Sequence, residues 1–278
     1  MSQKSILITG CSSGIGLETA FHLREAGWQV IASCRSLADC DRLQNTYGFE
    51  TVRIDYENTD SIKSGFSEAL SFTNGRLDAL FNNGAYAVPG AVEDLPTDAL
   101  RAIFEANLFG WHSLTCAALK VMQAQGHGRI IQNSSVLGFA ALPYRGAYNA
   151  TKFALEGLTD TMRLELRDSP IQVILIEPGP IRTEIRRNSW PHFQKWISVS
   201  KSMHRTTYEA QLIPTLVAKD PKPHFLELLP IAVAKTVSHA LTTKSPKARY
   251  RITWATTFMM IAKRLLSTAF MDKLASRL

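Results

Sequence analysis

Apolar residues recur along this chain in two alternating rhythms. Short unbroken runs such as Ser5-Ile6-Leu7-Ile8-Thr9 and Trp28-Gln29-Val30-Ile31-Ala32-Ser33-Cys34 have the continuity of strands buried on both faces, whereas Leu17, Ala20, Phe21 and Leu23 return at helical spacing. Followed down the chain, the pattern predicts strands over 5–9, 28–34, 50–54, 77–81, 128–134, 171–176 and near 249–253. Helices are expected over 14–26, 39–47, 60–72, 97–125 and 148–168. Strands separated by crossover helices make a parallel sheet, so the expected fold is α/β: a single Rossmann-type domain over 1–278, doubly wound, with helices on both faces. Ligands of such a sheet sit beyond the carboxyl ends of its strands. Gly10, Arg35, Asp55, Asn82, Ser135 and Pro178 all fall at such ends.

A length of 278 residues with 45% hydrophobic content suffices for one substantial core, and no linker, low-complexity tract or solenoid repeat divides it. The net charge of +7 arises from 31 basic and 24 acidic residues spread along the whole chain, which argues against nucleic acid as a partner. Cys11, Cys34, Cys40 and Cys116 show no metal-ligand spacing, and Met1-Ser2-Gln3-Lys4 enters the first strand almost at once, without room for a cleavable signal. A reduced cytoplasmic protein is the expectation. The seven histidines form no H-E-x-x-H or similar cluster, so no metal is expected, and His192, His204 and His224 read as surface residues.

Candidate chemistry gathers in two places. After the first strand, Gly10-Cys11-Ser12-Ser13-Gly14-Ile15-Gly16 runs straight into a helix, and side-chain-free positions there let the backbone approach a pyrophosphate at the helix N-terminus. Its G-x-x-x-G-x-G spacing differs from the G-x-G-x-x-G dinucleotide fingerprint, and alone it fits an ordinary loop equally. Downstream, Tyr148 and Lys152 lie four apart and share a helix face, so an ammonium beside the phenol would lower its pKa toward a usable range. Ser135 closes the strand thirteen residues before Tyr148, where its hydroxyl can hold a substrate carbonyl. A Tyr-x-x-x-Lys pair by itself also occurs on many exposed helices.

Together, T-G-x-x-x-G-I-G and S…Y-x-x-x-K resemble the short-chain dehydrogenase/reductase family over nearly the whole chain. Asp55, Asn82-Asn83, Asn107 and Pro178-Gly179 follow in the family's order. The glycine loop, Arg35, the long segment after Pro178-Gly179 and Arg249-Tyr250-Arg251 look most like the branch of hydroxysteroid dehydrogenases and bacterial NADP-dependent aldehyde reductases. One departure is visible: Asn82-Asn83-Gly84-Ala85 replaces the family's Asn-Asn-Ala-Gly.

By this resemblance Tyr148 protonates a carbonyl oxygen as hydride arrives from NADPH, Lys152 lowers the phenol pKa and holds the nicotinamide ribose, Ser135 orients the carbonyl, and Asn107 links the lysine to solvent through a water. The implied cofactor set is Gly10, Ser12, Ser13, Gly14, Ile15, Gly16, Arg35, Asp55, Asn83, Gly84, Tyr148, Lys152, Pro178, Gly179, Ile181 and Thr183, with Asp55 on the adenine and Thr183 on the carboxamide. Arg35 follows the second strand, where an acidic residue would hold the ribose of NAD; its guanidinium suits a 2′-phosphate, hence NADP. Structural readings stand beside these: Arg35 as a solvated turn residue, Asp55 as a strand-end cap, Asn107 as a helix-packing amide and Thr183 as an N-cap. A homo-oligomer, dimer or tetramer, is also implied.

Residues 184–230 form a long excursion carrying Trp190, Phe193, Trp196, Ile197, Met203, Leu212, Ile213, Leu216 and Phe225. Its aromatic content argues against disorder, and the expectation is an apolar wall over the nicotinamide. The resulting reading is an NADPH-dependent reductase of small apolar aldehydes or ketones. Its rivals are a non-catalytic NADP-binding regulator, a hydroxysteroid or retinol dehydrogenase working oxidatively, and a sugar-nucleotide epimerase. The segment 254–278 is amphipathic and interrupted by Lys263 and Arg264, so it is expected to dock in the core or an oligomer contact, with peripheral membrane contact the other reading.

Overall fold

The computed structural model describes residues 3–218 and 226–276; Phe225 and His224 lie outside the described residues. Seven strands, β1 (Ser5–Ile8), β2 (Gln29–Cys34), β3 (Glu50–Arg53), β4 (Ala79–Asn82), β5 (Gly128–Asn133), β6 (Ile171–Glu177) and β7 (Arg249–Arg251), form one sheet in the order β3-β2-β1-β4-β5-β6-β7. Every pairing is parallel. β1 and β4 are buried along their whole length, as continuous apolar strings covered on both faces must be.

The crossover helices are α1 (Gly14–Glu25), α2 (Leu37–Tyr47), α3 (Thr59–Phe72), α4 (Thr97–Phe104), α5 (Gly110–Gln125) and α6 (Gly146–Glu165). Ser36 caps α2 by accepting from Asp39 N, and Asn58 caps α3 by accepting from Ser61 N. Beyond β6 come α7 (Ile185–Trp196), α8 (Arg205–Thr207), α9 (Ile213–Val217), α10 (Pro230–Thr242), and, after β7, α11 (Trp254–Leu265) and α12 (Thr268–Ala275). One apolar core packs α1 and α10 on one sheet face; a second packs α3, α5 and α6 on the other. The doubly wound expectation is met.

Two elements differ from their predicted form. The expected 97–125 helix is continuous in direction but contains a π turn over Glu105–Phe109 between α4 and α5. Inward-turned Asn107, held by both main-chain groups of Tyr86, occupies that turn. The described part of the 184–230 excursion is mostly helical and builds a satellite core in which Phe193, Ile197, Leu212 and Leu216 surround Tyr208 and Ala91. The amphipathic C-terminal segment is divided into two helices, α11 and α12, by a break at Leu266–Ser267.

β7 is a short edge strand held by charge. Arg249 reaches Glu156 at 3.2 Å, Asp160 at 2.6 Å and Glu177 at 2.9 Å, and Arg251 reaches Glu177 at 3.1 Å.

Candidate active site

The loop after β1 owes its shape to contacts only glycine permits. Gly10 has φ +68°, and a Cβ there would stand 2.5 Å from Gly84 Cα; at Gly16 it would stand 2.3 Å from the Gly10 carbonyl oxygen. Thr9 fastens this loop to the end of β4: its hydroxyl accepts from Asn83 N at 2.8 Å and Gly84 N at 3.1 Å, while Asn83 Nδ2 donates to Thr9 O at 2.9 Å. Gly84 therefore fills the contact with Gly10, and Ala85 is taken up by the core behind it. The displaced glycine of Asn82-Asn83-Gly84-Ala85 preserves close backbone approach.

The N-terminus of α1 differs from those of α2 and α3. Ser13 stands at its N-cap without a side-chain bond to the first amides, and the first turn holds no acidic residue. Orphan N–H groups at the positive end of a helix, beside half-exposed Ser12, Ser13, Gly14 and Ile15, match the donor set a pyrophosphate needs. Thr183 lies against this loop, since a Cβ on Gly14 would meet its Cβ at 3.3 Å; Thr183 Oγ1 also stands 3.5 Å from Ile185 N, a weak N-terminal cap. Ile181 is held by a bridge to Leu228 and packs on the α1 side of the core. These residues fit a dinucleotide.

Arg35 is exposed at the carboxyl end of β2, and Arg53 Nε donates to its carbonyl oxygen at 3.0 Å. Nearby, Arg42 Nη2 donates to Ser12 O at 2.7 Å and pairs with Asp39 at 3.0 Å, joining α2 to the glycine loop. Arg42 escaped the sequence reading because nothing in its spacing separates it from a solvated helix arginine. Asp55 is half-buried at the end of β3, where Oδ1 accepts from Glu57 N at 3.2 Å and Oδ2 stands 3.6 Å from Arg53.

On the other side of the sheet centre, β5 and α6 bring the candidate catalytic groups together. The two serines at the end of β5 have separate neighbours: buried Ser134 turns to Glu156, whereas half-exposed Ser135 lies within electrostatic reach of the Tyr148 phenol and accepts from Leu137 N at 3.1 Å. Val136 N donates to Pro178 O at 2.8 Å, which ties the serine loop to the loop after β6. Lys152 is 1% exposed. Its Nζ donates to Asn133 O at 2.7 Å and lies 4.2 Å from the Trp111 ring centre and 5.6 Å from that of Tyr148. Burial brings the ammonium down to about 7, against a smaller upward pull from Glu156. The phenol of Tyr148 is pushed up by burial, with Ser135 acting the other way. This differs from the expected lowering by Lys152: both groups are drawn toward their neutral forms, because the low-dielectric surroundings penalise each charge more than their separation repays.

Asn107 touches Thr151 at 3.4 Å and the Tyr86 main chain, so its side chain is placed beside the residue preceding Lys152. His192 and His204, expected at the free surface, both have partners. The His192 ring stacks on Tyr86, and His204 pairs with Glu93 at 2.9 Å. Tyr86 and His192 gave no sequence signal, since they are 106 positions apart and belong to no motif. The excursion's wall is thinner than expected, because Phe193, Ile197, Leu212 and Leu216 face one another and Met203 is exposed; Trp196 packs against the Tyr86, Val88 and Ile103 cluster that Tyr148 also joins.

A glycine loop and a Ser-Tyr-Lys cluster at the carboxyl edge of one parallel sheet are the arrangement of a short-chain oxidoreductase. Residues 4–193 match the short chain dehydrogenase family, and the chain belongs to it. The uncharacterized oxidoreductase YbbO of Escherichia coli strain K12 is 40% identical over 272 residues, covering 98% of this chain and 94% of the relative. The 17-beta-hydroxysteroid dehydrogenase type 6 of Rattus norvegicus is 29% identical over 98% of this chain and 87% of its own. Solved short-chain dehydrogenases of the same fold hold either dinucleotide. One from Burkholderia phymatum is in complex with NAD (TM-score 0.78, 22% identity, 98% and 95% coverage) and one from Burkholderia cenocepacia with NADP (0.75, 21%, 99% and 98%).

Proposed function

We propose that this protein is an NADPH-dependent reductase of apolar aldehydes or ketones, with Tyr148 as the general acid. The observation that carries the reading is the gathering of Ser135, Tyr148 and buried Lys152 at one strand end, with the Lys152 ammonium 5.6 Å from the Tyr148 ring centre. A binding-only regulator would need the glycine loop but not this cluster. NADPH, when bound, supplies the hydride. Ser135 orients the carbonyl oxygen toward the phenol, Tyr148 delivers its proton there, and Lys152 offers a compensating charge and a donor to the nicotinamide ribose. Lys152, near neutral balance at about 7, is poised to take up or release a proton as the phenol turns over.

Arg35 supports NADP over NAD: it is exposed, at the strand end, and free to meet a 2′-phosphate. An apolar substrate is supported by the apolar cluster of Val88, Ala99, Ile103 and Ala147 against which both Tyr148 and Trp196 pack, and by likeness to a hydroxysteroid dehydrogenase. Buried free thiols at Cys11, Cys34 and Cys40 accord with a reducing cytoplasm, and a homodimer is the assembly we expect of this family. The test follows NADPH absorbance with a homologous series of aldehydes, then ketones, steroids and retinoids. Each added methylene that finds an apolar site contributes about 0.8 kcal/mol, so kcat/KM should climb with chain length until the pocket is full. Flat or falling efficiency would exclude an apolar pocket, and preference for NADH would exclude the cofactor assignment.

A further inference from the structure

α11 is apolar on two faces and only one of them is covered. Thr256, Met259 and Ala262 turn inward and are buried, whereas Trp254, Phe258, Ile261 and Leu265, spaced 4, 3 and 4 residues apart on the opposite side, are 64%, 49%, 46% and 78% exposed. α12 continues the patch with Phe270, 64% exposed. A helix docked on its own protein normally turns polar residues outward, so the second apolar face calls for a partner outside the described chain.

Charge selects that partner. Between 254 and 276 stand Lys263, Arg264 and Lys273 against the single carboxylate Asp272, and among the described residues neither Arg264 nor Lys273 is in an ion pair. A two-fold contact between copies through this face would bring its cations onto one another with little to offset them, whereas an anionic lipid surface supplies the missing charge. Tryptophan, phenylalanine and leucine on one side with lysine and arginine at the margin is the arrangement of helices lying in a bilayer interface. Among the described residues no helix is long and apolar enough to cross a membrane.

We propose that α11 and α12 form a peripheral docking surface for anionic membranes. The surface stands independently of the chemistry assigned to Tyr148, yet it is joined to the site. Lys263 Nζ donates to Phe139 O, in the loop that follows Ser135, and Gly179 leaves room for Thr253, at the N-cap of α11, where a Cβ would come 2.1 Å from its hydroxyl. Docking through this face therefore holds the serine loop about one helix diameter, ~10 Å, behind the lipid-facing side of α11.

The full chain is sedimented with vesicles of equal parts phosphatidylcholine and phosphatidylglycerol and with phosphatidylcholine alone. It should pellet with the anionic vesicles and be released as salt is raised. Phe258→Ser with Leu265→Glu should lower the partition coefficient by about tenfold or more through lost apolar contact, and Arg264→Glu with Lys273→Glu should do so for anionic vesicles alone. Thermal melts and NADPH binding in solution should match wild type in both. Wild-type protein that stays in the supernatant overturns the proposal. So does a Phe258→Ser, Leu265→Glu variant that pellets like wild type but falls from dimer to monomer by light scattering, which would make a second copy the occupant.

Discussion

The imidazole of His192 lies flat on the ring of Tyr86, with centroids 3.8 Å and planes 5° apart. One ring comes from α7 and the other from the loop after β4, so the stack joins α7 to the carboxyl edge of the sheet at β4. Burial, and then the charges of Arg35 and Lys195, bring His192 down to about 4. The folded protein thus binds fewer protons than the unfolded chain between 4 and the usual 6.5, and stability falls as pH is lowered through that window. His192→Phe keeps a stacking ring and removes the titration, so its melting temperature should decline less than wild type there. Paired melts across the window check this; parallel curves would deny His192 the role.

Lys152 titrates with its own signature. With the folded value near 7 and the unperturbed one at 10.5, the penalty of burying its charge is full at and below pH 7 and fades as pH rises toward 10.5. Lys152→Met should abolish turnover yet raise the melting temperature near pH 7 by about 2 °C or more, a gain that shrinks at higher pH. A variant melting below wild type throughout would mean that the bond to Asn133 O outweighs the desolvation it entails.

Tyr148→Phe should lower kcat by about 10²–10⁴-fold while leaving NADPH affinity near wild type, because the phenol is the proposed proton donor. Steady-state rates and a fluorescence titration separate the two effects. Half-maximal activity in the variant would remove Tyr148 from the mechanism.

Arg35→Asp should turn preference from NADPH toward NADH, adding repulsion against the 2′-phosphate and an acceptor for a free hydroxyl. The comparison is kcat/KM with each cofactor in both proteins.

Arg249→Met should cost about 3–5 kcal/mol of stability, since it strips Glu156 and Glu177 of a shared counter-charge in a buried setting. Denaturant melts measure it, and a loss under 1 kcal/mol, roughly that of a surface pair, would show that the network is solvated.

Most of the sheet was legible because a strand buried on both faces carries a continuous apolar run, as Ile6-Leu7-Ile8 in β1 and Val30-Ile31-Ala32 in β2 do. The Ser135, Tyr148 and Lys152 cluster was legible for a local reason: a strand end and one helix turn place all three. What escaped depends on long-range placement. Nothing within a few residues of Tyr86 announces His192, and nothing near Glu156 announces Arg249. The π turn at Asn107 was hidden because an extra residue in a helical turn leaves the apolar spacing of Ile103 and Leu114 readable as plain helix. Phe193 and Leu212 read as pocket wall because sequence gives apolarity but not the direction in which a side chain faces.

The all-parallel sheet has a consequence for how the chain assembles. Hairpins are impossible between its strands, so even the central pairing of Ile6 with Ala79 must close a loop of more than seventy residues before any ladder rewards it. Folding should accordingly be slow, with helices forming locally ahead of the ladder. Pulse-labelled hydrogen exchange would see the amides of α3 and α6 protected before those of β1. The cradle between Gly10 and Gly84 exists only once β1 and β4 have met, so nucleotide added during refolding should speed no step before that one.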